Sequence, residues 1–351
     1  MSKLFASDIS HILDATSDLW EELRGRRIFI SGGTGFFGCW LLESLLAAND
    51  LYGLYVDVAV LTRSPQNFES RSPHIAGHPA VHLLQGDVRS FEFPTGPFHY
   101  VIHAATEASA QLAFNSPLVM HSTIIEGTSR VLEFARASCV KKLLFTSSGA
   151  VYGPQPASIT HVDENYLGAP DPSDPRSVYG TGKRAAEQLC SIYAAISPME
   201  CKIARCFAFV GPHLPLDSHF AIGNFIRDAL VGGPIKIVGD GTPIRSYLYA
   251  ADLAIWLWTI LFRGQSCRPY NVGSESALSI ADLAGQIATA LDPSLVIDIA
   301  GAPLPGAIPA RYTPSTRRIR SELGLQERIT PVDAIQRTAR WYRPCQESLH
   351  G

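Results

Sequence analysis

Arg27-Ile28-Phe29-Ile30-Ser31-Gly32-Gly33-Thr34-Gly35-Phe36-Phe37-Gly38 decides the fold. A short apolar run breaks into glycines at Gly32-x-x-Gly35-x-x-Gly38, and Cys39-Trp40-Leu41-Leu42-Glu43-Ser44-Leu45-Leu46 follows. The order reads strand, tight turn, helix. Glycines there permit the turn, let the backbone approach a pyrophosphate and seat the helix on the sheet, with the helix N-terminus facing the phosphates. Such a pattern alone also suits an ordinary turn. Its place at the head of alternating strands and helices makes it a dinucleotide site.

Working outward, 28–31, 57–61, 81–84, 100–103 and 142–146 read as strands separated by helical stretches, and 199–206 as a further core strand. Such alternation predicts an α/β fold, a doubly wound parallel sheet with right-handed crossovers. Residues 1–24 carry apolar positions at Leu4, Ile9, Ile12, Leu13, Leu19 and Leu23, an amphipathic helical extension that packs on the core or on a partner subunit. Residues 25–212 form mainly the dinucleotide-binding domain. Residues 213–351 form mainly a smaller substrate-binding lobe, interleaved with the core around 248–273. Pro154 to Pro175 reads as a loop bordering the site, Pro212 to Phe220 as a substrate loop, and Phe225 to Val231 as a helix.

Tyr179 and Lys183 stand one helical turn apart in Ser-Val-Tyr-Gly-Thr-Gly-Lys-Arg-Ala-Ala-Glu. An ammonium beside a phenol stabilises phenolate, so the tyrosine can exchange a proton nearer neutrality. The run Lys142-Leu143-Leu144-Phe145-Thr146-Ser147-Ser148 ends in hydroxyls, and in open α/β sheets ligands sit beyond the carboxyl ends of the strands. Ser148 is therefore expected to hydrogen-bond the substrate oxygen that Tyr179 protonates.

With these pieces placed, the chain from about Arg26 to Arg343 resembles the extended short-chain dehydrogenase/reductases, in their nucleotide-sugar epimerase/dehydratase/reductase branch. Gly86-Asp87-Val88, His103-Ala104-Ala105, Arg205-Cys206-Phe207-Ala208-Phe209-Val210-Gly211-Pro212, Gly239-Asp240-Gly241-Thr242-Pro243-Ile244-Arg245-Ser246-Tyr247 and Tyr270-Asn271-Val272-Gly273 carry the likeness. The resemblance implies a Rossmann-type sheet and an enzyme whose catalytic residues are Ser148, Tyr179 and Lys183. It places Gly32, Thr34, Gly35, Phe36, Phe37 and Gly38 at the cofactor, with Asp87 and Val88 flanking the adenine and Ala104 and Ala105 lining the nicotinamide side. Tyr179 and Lys183 also touch the cofactor, and His103 belongs to its floor. Thr106, Glu107, Ser148 and Gly149 would meet the sugar, and Arg245 a sugar-nucleotide phosphate, for which its forked guanidinium is suited. Glu107 has a simpler reading as a surface or capping residue. Relatives commonly dimerise through two helices, one bearing the Tyr and Lys, so a cytoplasmic homodimer is expected.

Three departures narrow the reaction. Dehydrating relatives carry an acidic pair directly after the catalytic hydroxyl, where this chain has Gly149 and Ala150. Neither transfers a proton, which argues against 4,6-dehydration and against the similar decarboxylation. The second strand ends in Leu61-Thr62-Arg63-Ser64, where a basic residue accommodates a 2′-phosphate and an acidic one grips the ribose 2′-hydroxyl. Arg63 and Ser64 thus favour NADP(H), with NAD as the alternative, and Asp57 lies too early in the strand to be the ribose ligand. Ile124 and Ala208 replace asparagines that the family usually shows, so the sugar contacts are partly rebuilt. An exchanging NADPH suits net reduction of a 4-keto-(deoxy)sugar, in deoxysugar biosynthesis. A retained NAD would suit a 4-epimerase, and a catalytically idle cofactor-binding protein is the third reading.

Composition sets the remaining bounds. At 351 residues and 46% apolar content the chain can bury a large core. A net charge of −3 gives no basic field for nucleic acid. Seven cysteines show no Cys-x-x-Cys pair, and eleven histidines no metal-ligand cluster, so no metal is expected. No basic start followed by a sustained apolar stretch marks a signal peptide. The longest apolar run, Leu253 to Phe262, is half of a membrane span and suits a buried helix. His213 and His219 could face the sugar, but loop positions turned to water are the simpler expectation for both.

Overall fold

The computed structural model describes residues 3–106, 110–218 and 220–347. Seven parallel strands form the central sheet in the order Pro269–Val272, Glu200–Cys206, Lys142–Ser148, Tyr100–His103, Arg27–Ser31, Asp57–Thr62, Val81–Gln85. The chain starts in the middle, winds to one edge, then returns to the other side of its first strand at Tyr100–His103. Ile30 consequently pairs with Val60 on one side and with Ile102 on the other. That reversal opens a crevice at the carboxyl ends of the two central strands, the place where such sheets bind ligands.

The strands are continuous apolar runs because helices cover both faces. Alternation along the first strand sends Ile28 and Ile30 into one core and Phe29 into the other. Against the first face lie Phe36–Tyr52 and Ala250–Arg263, against the second Pro117–Ala137 and Val178–Ile196. The apolar run at 253–262 is indeed a core helix, in which Ala250 to Phe262 are all buried. Of its two indole nitrogens, that of Trp258 donates to Ser44 Oγ at 2.9 Å, while that of Trp256 meets no hydrogen-bond partner among the described residues. Among the described residues no helix is long and apolar enough to cross a membrane.

The N-terminal extension forms the helix Lys3–Ala15 and a 3₁₀ turn at Trp20–Leu23. It packs on its own chain: Phe5, Ile9, Ile12, Leu13, Leu19, Trp20 and Leu23 all join the first core, while the side chain of Leu4 lies outside the described residues. Asp8 anchors it, accepting from Tyr249 Oη at 2.6 Å and pairing with Arg337. Burial raises the Asp8 carboxyl above its ordinary range, against the pull of these two partners.

Boundaries differ from expectation where pairing overrides local pattern. The fifth strand runs two residues further, to Ser148, because it pairs with its neighbour up to Ser148 and Cys206. The helix expected from Phe225 starts at Ala221. Beyond the main sheet, Ile244–Arg245 is the middle strand of three, flanked by antiparallel Leu278–Ser279 and parallel Arg311–Tyr312. The loop after Pro154 is fastened by a bridge from Val162 to Pro314 and by Asn271, whose Nδ2 donates to Val162 O at 2.9 Å. His213 overturns the expectation of a solvent-facing loop residue: Leu214 and its neighbours fold inward, and its ring sits 5.9 Å from Phe5 and 5.1 Å from Trp341. His219 lies outside the described residues.

Candidate active site

The cofactor half is built by backbone contact. Gly32 has φ +74°, and a Cβ there would lie 2.5 Å from the Ala104 carbonyl group, so only glycine lets the loop lean on the fourth strand. A Cβ on Gly38 would meet Gly33 at 2.3 Å, which fixes how closely the helix Phe36–Tyr52 can approach. Above this contact lies a cavity of about 460 Å³ lined by Gly32, Thr34, Gly35, Arg63, Ser64, Asp87, Val88, Ala104, Ala105 and Thr106. These come from four separate turns. Phe36, Phe37 and Gly38 are not in that lining: the two rings lie 5.8 Å apart and Phe37 packs on Phe209 at 5.1 Å, so their side chains serve the helix seat.

Asp87 faces the cavity already paired, its two oxygens each taking an Arg89 nitrogen at 2.8 Å. This fork holds its carboxyl down at about 2. Asp57 sits at the opposite end of its strand, bonded to Arg27 Nε at 2.6 Å. His103 does not line the cavity. It is buried beneath it, with Nδ1 2.7 Å from Ser31 Oγ and Nε2 3.0 Å from Thr128 Oγ1, and burial pushes its pKa down to about 3. Its place below the lining follows from the strand, whose last residue alternates inward as readily as outward. Thr62, Asn67, Phe68, Arg71, Arg89 and Met120 also line the cavity, and the motifs did not mark them.

The adjoining half brings Ser148, Tyr179 and Lys183 together. Ser148 ends its strand and caps the following turn, accepting from Ala150 N at 3.1 Å. Lys183 is buried, and its Nζ donates to Thr146 O at 2.7 Å and Thr106 Oγ1 at 3.2 Å. It stands 4.7 Å from the Phe145 ring centre and 5.9 Å from that of Tyr179. Burial brings the Lys183 ammonium down to about 8. The expectation that Lys183 draws the phenol towards neutrality is not met in this state. Burial, then the neighbouring Tyr312, pushes the Tyr179 pKa up, and a hydrogen bond with Ser148 opposes this only in part.

Tyr312 is the feature the motifs missed. Its Oη lies 3.4 Å from Ser148 Oγ and its ring 4.7 Å from Phe207. A Cβ on Gly149 would come within 2.6 Å of Phe207 and 2.8 Å of Tyr312 Oη, so these rings occupy the space that a side chain after Ser148 would need. Arg245 lies behind Tyr312, its guanidinium 5.9 Å from the ring centre and donating to Ile244 O at 2.9 Å. Ile124 fills the contact between helices, 3.2 Å from where a Cβ on Gly182 would stand. Glu107 lies outside the described residues.

A family model described as NAD dependent epimerase/dehydratase family matches residues 28–273. UDP-glucuronic acid decarboxylase 5 of Arabidopsis thaliana is 31% identical over 280 residues, covering 77% of this chain and 76% of that protein. Among solved structures, the dTDP-glucose 4,6-dehydratase DesIV of Streptomyces venezuelae with NAD bound superposes with a TM-score of 0.77 at 23% identity, covering 92% of this chain and 98% of that one. The UDP-glucose 4-epimerase of Thermotoga maritima gives 0.75 at 19%, covering 91% and 99%. The dinucleotide cleft, the Ser148, Tyr179 and Lys183 cluster and the matched model together identify the chain as an enzyme of the NAD dependent epimerase/dehydratase family, extended short-chain dehydrogenase/reductases that modify nucleotide sugars.

Proposed function

We propose that the enzyme reduces the C4 carbonyl of a nucleoside-diphospho-4-keto-(deoxy)sugar, using NADPH. The observation that carries this reading is the closed space at Gly149. A 4,6-dehydratase needs an acid and a base directly after the catalytic serine, and here Phe207 and Tyr312 stand where the first of those side chains would project, while Ala150 holds the second position with a methyl. What remains among the described residues is a proton donor, an orienting hydroxyl and a buried ammonium, the set that a simple carbonyl reduction uses.

The residues divide the work. The bound nicotinamide would supply the hydride. Tyr179, kept protonated by its enclosure, gives its proton to the C4 oxygen. Ser148 orients that oxygen, its hydroxyl turning to it from the neighbouring Tyr312 Oη at 3.4 Å while its lone pair takes Ala150 N. Lys183, fixed by Thr146 and Thr106, stabilises the phenolate left behind. Donors held in place before the reaction avoid the reorganisation that water would require. Arg63 and Ser64 in the lining of the cavity support NADP(H) over NAD. Exposed Leu118, Ile192 and Ile196 on the helices Pro117–Ala137 and Val178–Ile196 support a homodimer.

The sequence relatives favour a second reading. Oxidation of a hexuronic acid at C4 gives a β-keto acid, which sheds carbon dioxide, and Tyr179 with Lys183 could serve that oxidation too. One experiment separates the readings: the purified enzyme is offered nucleoside-diphospho-4-keto-6-deoxyhexoses with NADPH, and nucleoside-diphospho-hexoses and hexuronic acids without reductant. The proposal expects NADPH consumed one for one with a 4-hydroxy product. Pentose formed from the uronic acid, or 4-epimers exchanged without reductant, would overturn it.

A further inference from the structure

Resting on the NADP(H) reading, we infer that Arg71 is a second cofactor-specificity residue, closing on the 2′-phosphate from the side opposite Arg63. Arg63, Ser64, Asn67, Phe68 and Arg71 all line one end of the cavity and come from the single segment that follows the second strand. Pro65–Arg71 is a short helix that carries Arg71 back across this end. There its Nη2 donates to the Thr34 carbonyl of the glycine loop, while the guanidinium stays 5.9 Å from the Phe68 ring centre. Arg71 thus spans the two segments that bound the ribose end, and Thr34 holds only one of its five N–H groups.

Charge makes the case specific. The cavity's charged lining is Arg63, Arg71, Arg89 and Asp87. Arg89 and Asp87 neutralise each other in a two-pronged pair. Neither Arg63 nor Arg71 forms an ion pair among the described residues. Two unneutralised guanidiniums at one end of a cleft match a phosphomonoester, which carries roughly −1.5 to −2 at pH 7. A ribose 2′-hydroxyl would bring neither of them a counter-charge, leaving only the distant pull of the already paired Asp87 on Arg63. Arginine suits the task because its planar fork presents paired donors to phosphate oxygens.

Arg71→Gln and Arg71→Lys, titrated with NADPH, NADH, 2′-phospho-ADP-ribose and ADP-ribose beside the unaltered enzyme, test this. The expected result is at least about tenfold preference for the phosphorylated ligands in the unaltered enzyme, and weakening of these ligands by roughly 10- to 100-fold in Arg71→Gln. NADH and ADP-ribose should shift less than about threefold, and Arg71→Lys should fall between. Equal weakening of both ligand classes would mean that Arg71 only braces the glycine loop, and would overturn the inference. So would an unchanged preference in Arg71→Gln, which would assign the 2′-phosphate to Arg63 alone and leave the NADP(H) reading standing. No preference in the unaltered enzyme would overturn that reading and the inference with it.

Discussion

The two halves of the cleft are made by different means. At the cofactor half, backbone meets backbone: the glycine loop leans on Ala104, and one missing Cβ at Gly32 is what allows it. At the sugar half, side chains meet side chains, with Phe207 and Tyr312 reaching over Gly149 from separate segments. The first arrangement tolerates almost no substitution and accepts a ligand common to many enzymes. The second can be rebuilt residue by residue, and Gly149, Ala150 and Ala208 are departures on that side.

The contrast can be broken most severely at the proton donor. Tyr179→Phe should lower turnover by about 10²- to 10⁴-fold with cofactor affinity unchanged, since it removes a proton and little else. Steady-state rates beside a cofactor titration check this, and full turnover would remove Tyr179 from the chemistry. Next in size is Gly32→Ala. Positive φ and backbone contact together leave the new methyl no room, so melting and titration should show destabilisation of about 2–4 kcal/mol and lost cofactor binding. Gly149→Ala makes the matching test on the other half. There the obstacles are ring edges that can move, so the expected loss is only about 1–2 kcal/mol, with KM for the sugar raised and cofactor affinity kept. If the two alanines behaved alike, the distinction between the halves would fail.

Much of the glycine loop and of the catalytic cluster was legible in the sequence, and the reason is local. Glycine spacing, the Tyr-x-x-x-Lys turn and the strand ending in Ser148 each report a backbone geometry within a dozen residues. Tyr312 could not be read that way. It reaches Ser148 only because Arg311–Tyr312 pairs alongside Ile244–Arg245, a partnership between short strands that no local pattern announces. Arg71 was hidden for a similar reason, being the last residue of a short helix whose return towards Thr34 depends on tertiary packing. The surroundings of His103 and His213 could not be read from local pattern either, because a histidine's burial depends on neighbours from other elements, Thr128 in one case and Phe5 with Trp341 in the other.

Those histidines give the smallest test. His213 is held down at about 4 by burial, then by the charges of Arg71 and His74, and an unfolded chain takes up its proton near 6.5. Between these values the native state binds fewer protons than the unfolded state, so stability falls as pH drops from 6.5 to 4. His213→Asn, which tolerates the positive φ at this site, should flatten that decline in melting temperature, and an unchanged slope would place the acid sensitivity elsewhere.

The central claim, net reduction at C4 with exchanging NADPH, is most directly tested with NADPH deuterated at the transferred position and a nucleoside-diphospho-4-keto-6-deoxyhexose. One deuterium at C4 of the product, with NADPH consumed in equal amount, is the predicted result. Turnover that leaves NADPH unconsumed and the product unlabelled would contradict it.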